Sequence, residues 1–384
     1  MLEFSRSIEP LPGKPAAPGE ISLYLHGILS AQGGAARVMG LLAQGAERHG
    51  FKTFMSCEFK DSGAEKAREI APLNLGGHVP PVALSHVHGS RNWDDLFRGF
   101  SVLGQRVDFI TMHDCALLTG GCIHPGDCPG WSEGCTDDCP QAYKDVVNRQ
   151  NALRSVLRAQ APTLVCPSAW LRRMARAVFP GIDCVLIPNG VEDPLLSADR
   201  ASARQALGLV PGAKLLLFAA HGGKLAPAKG VADFLAVWRA VKAKLPEAAA
   251  FIVGGDEVSR EGDLYYWPYV DTAHMQRFML AADMFVSASP AENHSLVILE
   301  AMAAGVPVCA YKTGGVPEQV IDNETGVLAP VGDVAALAAA AQALLGNAAT
   351  LRRMGLKARL RYERNFQAKH MVADYMKLYF KALK

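Results

Sequence analysis

AKLLLFAAHGG (213–223) is an apolar run closed by a Gly-Gly pair, and it restarts a pattern that ISLYLHG (21–27) begins much earlier in the chain. Short apolar runs bounded by His, Gly or Ser suit strands of a parallel sheet, which are covered on both faces. Outward from 213–223 come a helical pattern over 231–244, then AAAFIVGG (248–255), DMFVSAS (283–289), a helix over 295–304 and VPVCAYKTGG (306–315). Upstream, ISLYLHG leads through the Gly-rich turn QGGAARVMG into a helix with Leu41, Leu42 and Ala46. FKTFMSC (51–57), VALSHVHG (82–89), RVDFITMHD (106–114), PTLVCPS (162–168) and CVLIPNGV (184–191) complete that half. Ser168 is the expected N-cap of the helix after 162–168. Strands alternating with helices and long crossovers predict an α/β protein of two doubly wound Rossmann-like halves. The expected organisation is a loose arm over 1–20, an N-terminal domain over 21–195, a C-terminal domain over 196–368 and a last helix over 369–384. The linker falls near EDPLLSADR (192–200), and the tail from Val334 onward reads as helical.

Length and composition agree with this. At roughly 150 residues per domain, 384 residues make two or three domains. Half of the residues are hydrophobic and 20% charged, which excludes a disordered chain. Lys and Arg number 39 against 37 Asp and Glu, and the net charge of +2 argues against a chain built mainly to hold nucleic acid. No apolar run approaches the roughly 18 residues of a membrane span. The opening MLEFSRSIEPLPGKPAAPGE lacks the pattern of a signal peptide, so the expected location is the cytoplasm. Nine cysteines cannot all pair within one chain, and in a reducing compartment thiols stay free or bind metal.

Ligands of open parallel sheets bind beyond the carboxyl ends of the strands. Those ends carry the unusual residues here: Gly33 and Gly34, His86, His88, His113, Gly222 and Gly223, Glu292, Gly314 and Gly315. Two facing sheets would form one cleft. In SPAENHSLVILEAMAAGVPVCAYKTGGVPE (289–318), Asn293, His294 and Ser295 would open a helix running through Leu296, whose unpaired N–H groups suit phosphate oxygens. Glu292 lies just before that helix, where a carboxylate can accept from sugar hydroxyls; Glu300 lies two turns on and reaches another part of the same ligand. The bland reading is an acid complementing the helix dipole and a solvated helix Glu. Lys224 and Lys229 flank a loop after a strand and offer cations to a diphosphate, or are simply solvated. No Asp-x-Asp metal motif is present, which fits transfer without a bound divalent ion. The Gly33–Gly34 turn admits close approach of a ligand, but it is not a GxGxxG and supports no dinucleotide fingerprint.

The 289–318 segment resembles the donor-binding signature of glycosyltransferase family 4, a retaining family with the GT-B fold. The family's E-x7-E pair falls on Glu292 and Glu300. GGAARV (33–38), HVH (86–88), TMHD (111–114), IPNGV (187–191) and the lysines at 224 and 229 follow in family order, so the resemblance runs over about 21–384. It implies two Rossmann-like domains facing across a cleft, with the last helix crossing back to the N-terminal domain. It also implies that Glu292 contacts the donor sugar, Glu300 the ribose, Lys224 and Lys229 the diphosphate, and His113 the donor sugar. The Gly33–Gly34 loop would face the diphosphate or the acceptor, and His294 would contribute backbone. Many family members have Arg where Lys224 falls, and Lys makes no planar bidentate contact. His113 satisfied by Asp114, structural histidines at 86 and 88, and a Glu318 that braces the Gly-Gly turn are the competing readings.

The insert TGGCIHPGDCPGWSEGCTDDCP (119–140) holds Cys122, Cys128, Cys135 and Cys139, and similar loops occur in a subset of the family. Four thiolates predict one structural zinc, with free thiols as the alternative and Cys115 as a substitute ligand. Cys57, Cys166, Cys184 and Cys309 sit on apolar strands as core residues. Arg172, Arg173 and Arg176 share one helix, which reads as a membrane-surface contact at the inner face of a membrane or as a solvated basic face. The expectation is therefore a retaining glycosyltransferase. It takes a nucleotide diphosphate sugar as donor and a sugar, lipid-linked or other hydroxyl acceptor, serves bacterial polysaccharide or glycoconjugate synthesis, and needs no cofactor for catalysis. A GT-B nucleotide-sugar epimerase and a non-catalytic nucleotide-sugar sensor are the rivals.

Overall fold

The computed structural model describes residues 21–61, 67–71, 82–141, 143–193, 199–210 and 212–384. The expected arm at 1–20 and the middle of the expected linker lie outside the described residues. The chain divides into two compact units, one comprising residues up to Asn189 together with Ala368–Lys384, the other Gly190–Gln367.

The first unit runs β1 (Ile21–Leu29), α1 (Gly33–Arg48), β2 (Phe51–Phe59), β3 (Ala67–Glu69), β4 (Leu84–Val87), α2 (Trp93–Val102), β5 (Phe109–Thr111), α3 (Gly130–Glu133), α4 (Val146–Gln160), β6 (Thr163–Cys166), α5 (Ala169–Val178) and β7 (Cys184–Leu186). Its sheet has the order β3-β2-β1-β4-β5-β6-β7, and every pairing is parallel. The order reverses between β1 and β4, the place where such sheets open a crevice. The strands are short and apolar because both faces are covered; Val87, Ile110 and Leu164 are all fully buried in one core with Phe100 and Leu157. The Ser168 hydroxyl accepts from Leu171 N–H at 3.1 Å and starts α5 as the sequence predicts.

The second unit runs α6 (Arg200–Ala206), β8 (Lys214–Ala219), α7 (Val231–Lys244), β9 (Ala248–Gly255), β10 (Ser259–Glu261), β11 (Leu264–Pro268), α8 (Thr272–Ala281), β12 (Met284–Ser287), α9 (Leu296–Ala303), β13 (Val308–Tyr311), α10 (Val316–Gln319), β14 (Gly326–Ala329), α11 (Val334–Leu345) and α12 (Ala348–Asn365). Two 3₁₀ turns, Gly223–Leu225 and Pro227–Lys229, fill the crossover after β8. The sheet order is β10-β11-β9-β8-β12-β13-β14, reversing between β8 and β12, with one antiparallel edge pairing, β10 on β11.

The helical tail is three helices, the last of them close to the expected 369–384. Gly346 and Asn347 interrupt it, with the Asn347 side chain accepting from Thr350 N–H at 3.0 Å to cap α12. A second break precedes α13 (Ala368–Ala382), which belongs to the first unit. Residues 190–193, expected at the end of the N-terminal domain, sit with the second unit instead. Val191 N–H donates to Phe366 C=O at 3.0 Å, and Tyr362 O–H donates to Val191 C=O at 3.1 Å. α13 packs against α1 where Gly45 lies; a Cβ there would stand 2.4 Å from a Val372 methyl, so only glycine permits that approach.

Candidate functional site

Each unit carries its unusual residues at the reversal of its sheet. In the first, the ends of β1 and β4 and the start of α1 line a cavity of about 820 Å³ together with Arg91, Trp93, His113 and Arg149. Gly33 and Gly34 form one wall, with Gly33 in the left-handed region at φ 83°. The loop leading into them is held by Asp61, a lone polar residue that no sequence motif marks. Its carboxylate accepts from the backbone N–H of Ser30 (3.0 Å), Ala31 (2.8 Å) and Gln32 (2.5 Å), and from the Ser30 hydroxyl. Partial burial pushes the Asp61 carboxyl up, but the Ser30 hydroxyl and these N–H groups outweigh it and hold the group below the usual range.

His113 reaches the cavity from the end of β5. Its Nε2 lies 3.0 Å from His88 Nδ1, so one ring donates and the other accepts. Burial lowers His113 to about 4 and His88 well below its ordinary value, so both are neutral near pH 7. The Asp114 carboxylate accepts from Ala116 N–H at 2.8 Å. His86 serves the frame: its Nδ1 meets Tyr379 O–H at 2.5 Å and its Nε2 meets Thr111 Oγ1 at 2.8 Å, while Thr111 bonds Tyr375 O–H at 2.7 Å. Both tyrosines come from α13 and are fully buried, so α13 closes the polar layer behind His88 and His113.

In the second unit, Lys229 and Glu292 are brought together. Lys229 Nζ donates to Glu292 Oε1 at 2.7 Å, with the carboxylate 14% exposed and the lysine 42%. Gly230 makes this possible. It has φ 77°, and a Cβ there would lie 1.8 Å from Ala288 C=O, so the crossover presses against the end of β12. Lys224 takes a different partner, donating to Glu257 Oε1 at 3.2 Å near the Tyr266 ring. The helix expected from Asn293 starts at Leu296, with Ser295 at its N-cap and no side-chain bond capping the first turn. Gln319, fully buried, clamps Ser295 instead: Oε1 accepts from its N–H at 3.0 Å and Nε2 donates to its C=O at 2.8 Å. Asn293, His294 and Glu300 are buried around that N-terminus. Burial, then the nearby Arg361 guanidinium, lowers His294 to about 3. Glu318 lies in α10, its N–H donating to Gly315 C=O at 3.0 Å.

The cysteine loop departs from expectation. Among the described residues no group of three or more His, Cys, Asp or Glu is placed to hold a metal ion. Cys122, Cys128, Cys135 and Cys139 are free thiols and do not form a zinc ligand set. Ordinary hydrogen bonds organise the loop. Gln150 is buried, accepts from Cys135 N–H at 2.7 Å, and donates to Leu118 C=O and Gly130 C=O. Cys135 Sγ accepts from Gly120 N–H at 3.3 Å.

Residues 214–347 match the family model of the glycosyl transferases group 1. A D-inositol 3-phosphate glycosyltransferase of Nocardia farcinica is 30% identical over 295 residues, covering 71% of this chain and 61% of that protein. A phosphatidyl-myo-inositol mannosyltransferase of Mycobacterium leprae is 36% identical over 177 residues, 44% of this chain and 46% of that one. The chain spans less than two thirds of the length of the curated relatives it matches. Among solved structures, the sucrose-phosphate synthase of Thermosynechococcus elongatus superposes with a TM-score of 0.72 at 21% identity, covering 94% of this chain and 99% of that one. WaaG, a glycosyltransferase of lipopolysaccharide biosynthesis, superposes with a TM-score of 0.66 at 12% identity, covering 93% and 99%. HepE of Anabaena, solved with UDP-glucose, superposes at 0.71 with 16% identity, covering 94% and 100%. The fold is that of GT-B glycosyltransferases.

Proposed function

We propose that this chain, which belongs to the group 1 glycosyl transferases through residues 214–347, is a retaining glycosyltransferase that moves a sugar from a nucleotide diphosphate sugar to an acceptor hydroxyl. The observation that carries the reading is the Lys229–Glu292 pair at 2.7 Å beside the uncapped N-terminus of α9. A cation, a carboxylate and a helix N-terminus at one place meet the needs of a sugar joined to a diphosphate. In this reading Glu292 accepts from sugar hydroxyls, Glu300 holds the ribose, and Lys229 with the α9 N–H groups takes the diphosphate. Lys224, turned to Glu257, has a lesser share. The bond from the anomeric carbon to the phosphate oxygen breaks, and the acceptor oxygen bonds that carbon on the same face. The acceptor proton passes to the departing phosphate. Lys229 and the helix dipole stabilise the charge that develops there. The cavity lined by Gly33, Gly34 and His113 is assigned to the acceptor side, and the neutral imidazole of His113 acts there as a hydrogen-bonding group.

The two relatives reported above are bacterial and are named as enzymes acting on inositol phosphate and phosphatidyl-inositol. Polysaccharide or glycoconjugate synthesis in the cytoplasm is the corresponding role for this chain, with peripheral contact at the membrane. The test incubates the chain with UDP- and GDP-sugars without acceptor and follows nucleoside diphosphate release. Slow hydrolysis of at least one donor is expected, falling roughly 100-fold in Glu292→Ala. Epimerised sugar would select the epimerase reading, and tight binding without turnover the sensor.

A further inference from the structure

α12 is an 18-residue helix with one buried and one exposed face. Its inner face, Leu351, Met354, Ala358 and Tyr362, is buried in the second unit. Opposite lie Leu356, 68% exposed, and Leu360, 49% exposed, one turn apart. At about 100° per residue the two leucines and exposed Ala349 fall within a strip roughly 40° wide. Exposed Arg352 flanks the strip on one side, and exposed Arg353, Lys357 and Arg364 on the other. The acids on or near this face are Glu363, bonded to Arg359 at 2.7 Å, Asp193, bonded to Arg359 at 2.6 Å, and Glu324, 3.1 Å from Lys357. The helix carries six cationic residues against one acid, more positive charge than the whole chain's net +2.

Apolar residues along the centre with long cationic side chains at both margins make an interfacial pattern. The leucines can enter the acyl boundary while the Arg and Lys stems reach lipid phosphates. No single helix among the described residues is long and apolar enough to cross a membrane, so contact through α12 would be peripheral. We propose that the outer face of α12 docks on an anionic membrane surface, with Leu356 and Leu360 as the apolar contacts and Arg352, Arg353, Lys357 and Arg364 as the phosphate contacts. Charge complementarity selects the occupant: Lys357 has Glu324 beside it, and a neutral apolar partner would offer no counter-charge to Arg352, Arg353 and Arg364 at the rim.

The experiment sediments the full chain with vesicles of phosphatidylcholine alone and of phosphatidylcholine with about one third phosphatidylglycerol, at low salt and at about 0.5 M salt. Wild type is expected to pellet with the anionic vesicles only and to be released by salt. Leu356→Ser with Leu360→Ser, and separately Arg353→Ser with Lys357→Ser, should each lower the bound fraction about tenfold. Both pairs are surface changes, so circular dichroism and melting should match wild type. Failure of wild type to bind anionic vesicles overturns the proposal. So does equal binding to neutral vesicles, or retention of binding by both variants; the last outcome would move the contact to another face such as that of α5.

Discussion

Gly230→Ala is the substitution that most directly probes how the Lys229–Glu292 pair is held. Two costs combine. A non-glycine residue at φ 77° gives up about 1–2 kcal/mol relative to an ordinary conformation. The new methyl would also stand 1.8 Å from Ala288 C=O, a backbone atom at the end of β12 that no rotamer change can clear. Forcing one carbon into such a place costs about 1–3 kcal/mol more. The expected loss is therefore about 2–5 kcal/mol for the second unit. Relief requires the turn bearing Lys229 to withdraw from β12, which separates Nζ from a carboxylate now 2.7 Å away. A misplacement of about 1 Å at a positioned group costs on the order of 100-fold in rate, and withdrawal of the ammonium from the diphosphate also weakens nucleotide binding. Denaturant unfolding measures the first effect, and calorimetric titration of UDP or GDP into the folded variant measures the second. A variant within about 0.5 kcal/mol of wild type with unaltered nucleotide affinity would refute both the steric argument and the placement of Lys229 at the diphosphate.

Other consequences can be measured independently. Gln319→Ala removes both bonds that hold part-buried Ser295 and leaves its N–H without that acceptor, while its C=O keeps a 3.3 Å bond from Leu299 N–H, so it should destabilise the chain by about 1–3 kcal/mol and weaken nucleotide binding; Gln319→Glu, which keeps the acceptor and loses the donor, should restore both only in part. Asp61→Asn keeps the shape but removes the charge that gathers Ser30, Ala31 and Gln32, so acceptor KM should rise several-fold while donor hydrolysis stays near wild type. His86, His113 and His294 have folded values of about 3, 4 and 3. Free histidine titrates near 6.5, so between about pH 4 and 6.5 the unfolded chain binds more protons, and stability falls as pH is lowered by up to about 1.4 kcal/mol per unit for each histidine. Urea midpoints measured from pH 4.5 to 7.5 should rise steeply up to about 6.5 and level off above it; a flat profile would contradict neutral burial.

The central strands and α7 were legible because their signal is local. Seven or eight apolar residues ending in Gly read the same way wherever they lie, and 248–255 and 231–244 match β9 and α7 residue for residue. The edges were not. β11 is aromatic rather than aliphatic, and what makes it a strand is register against β9, where Tyr265 stacks on Phe251 with ring centres 4.7 Å apart. β3, β10 and β14 have three or four residues each, too few for any period to show. The break between α11 and α12 follows from Asn347 turning back to cap its own helix, a local preference hidden by the helical composition on both sides.

The site divides the same way. Glu292, Lys229 and the start of α9 announce themselves as charged and glycine-rich interruptions of apolar runs. Gln319 and Asp61 do not, because their role depends on partners 24 to 31 residues away and a lone polar residue has no periodicity. The pairing of Lys229 with Glu292 also bears on why the proposed donor end is built of opposite charges. A carboxylate only 14% exposed beside apolar β12 is costly alone, and the lysine offsets that cost while the site is empty. Lys229 remains 42% exposed on a 3₁₀ turn, so its ammonium can leave the carboxylate for a phosphate at little expense. Glu292, freed at that moment, regains hydrogen bonds only if sugar hydroxyls arrive with the diphosphate. A nucleoside diphosphate alone satisfies the lysine and strands the glutamate; the sugar conjugate satisfies both, and in that difference the proposed site favours an intact donor over its own leaving group.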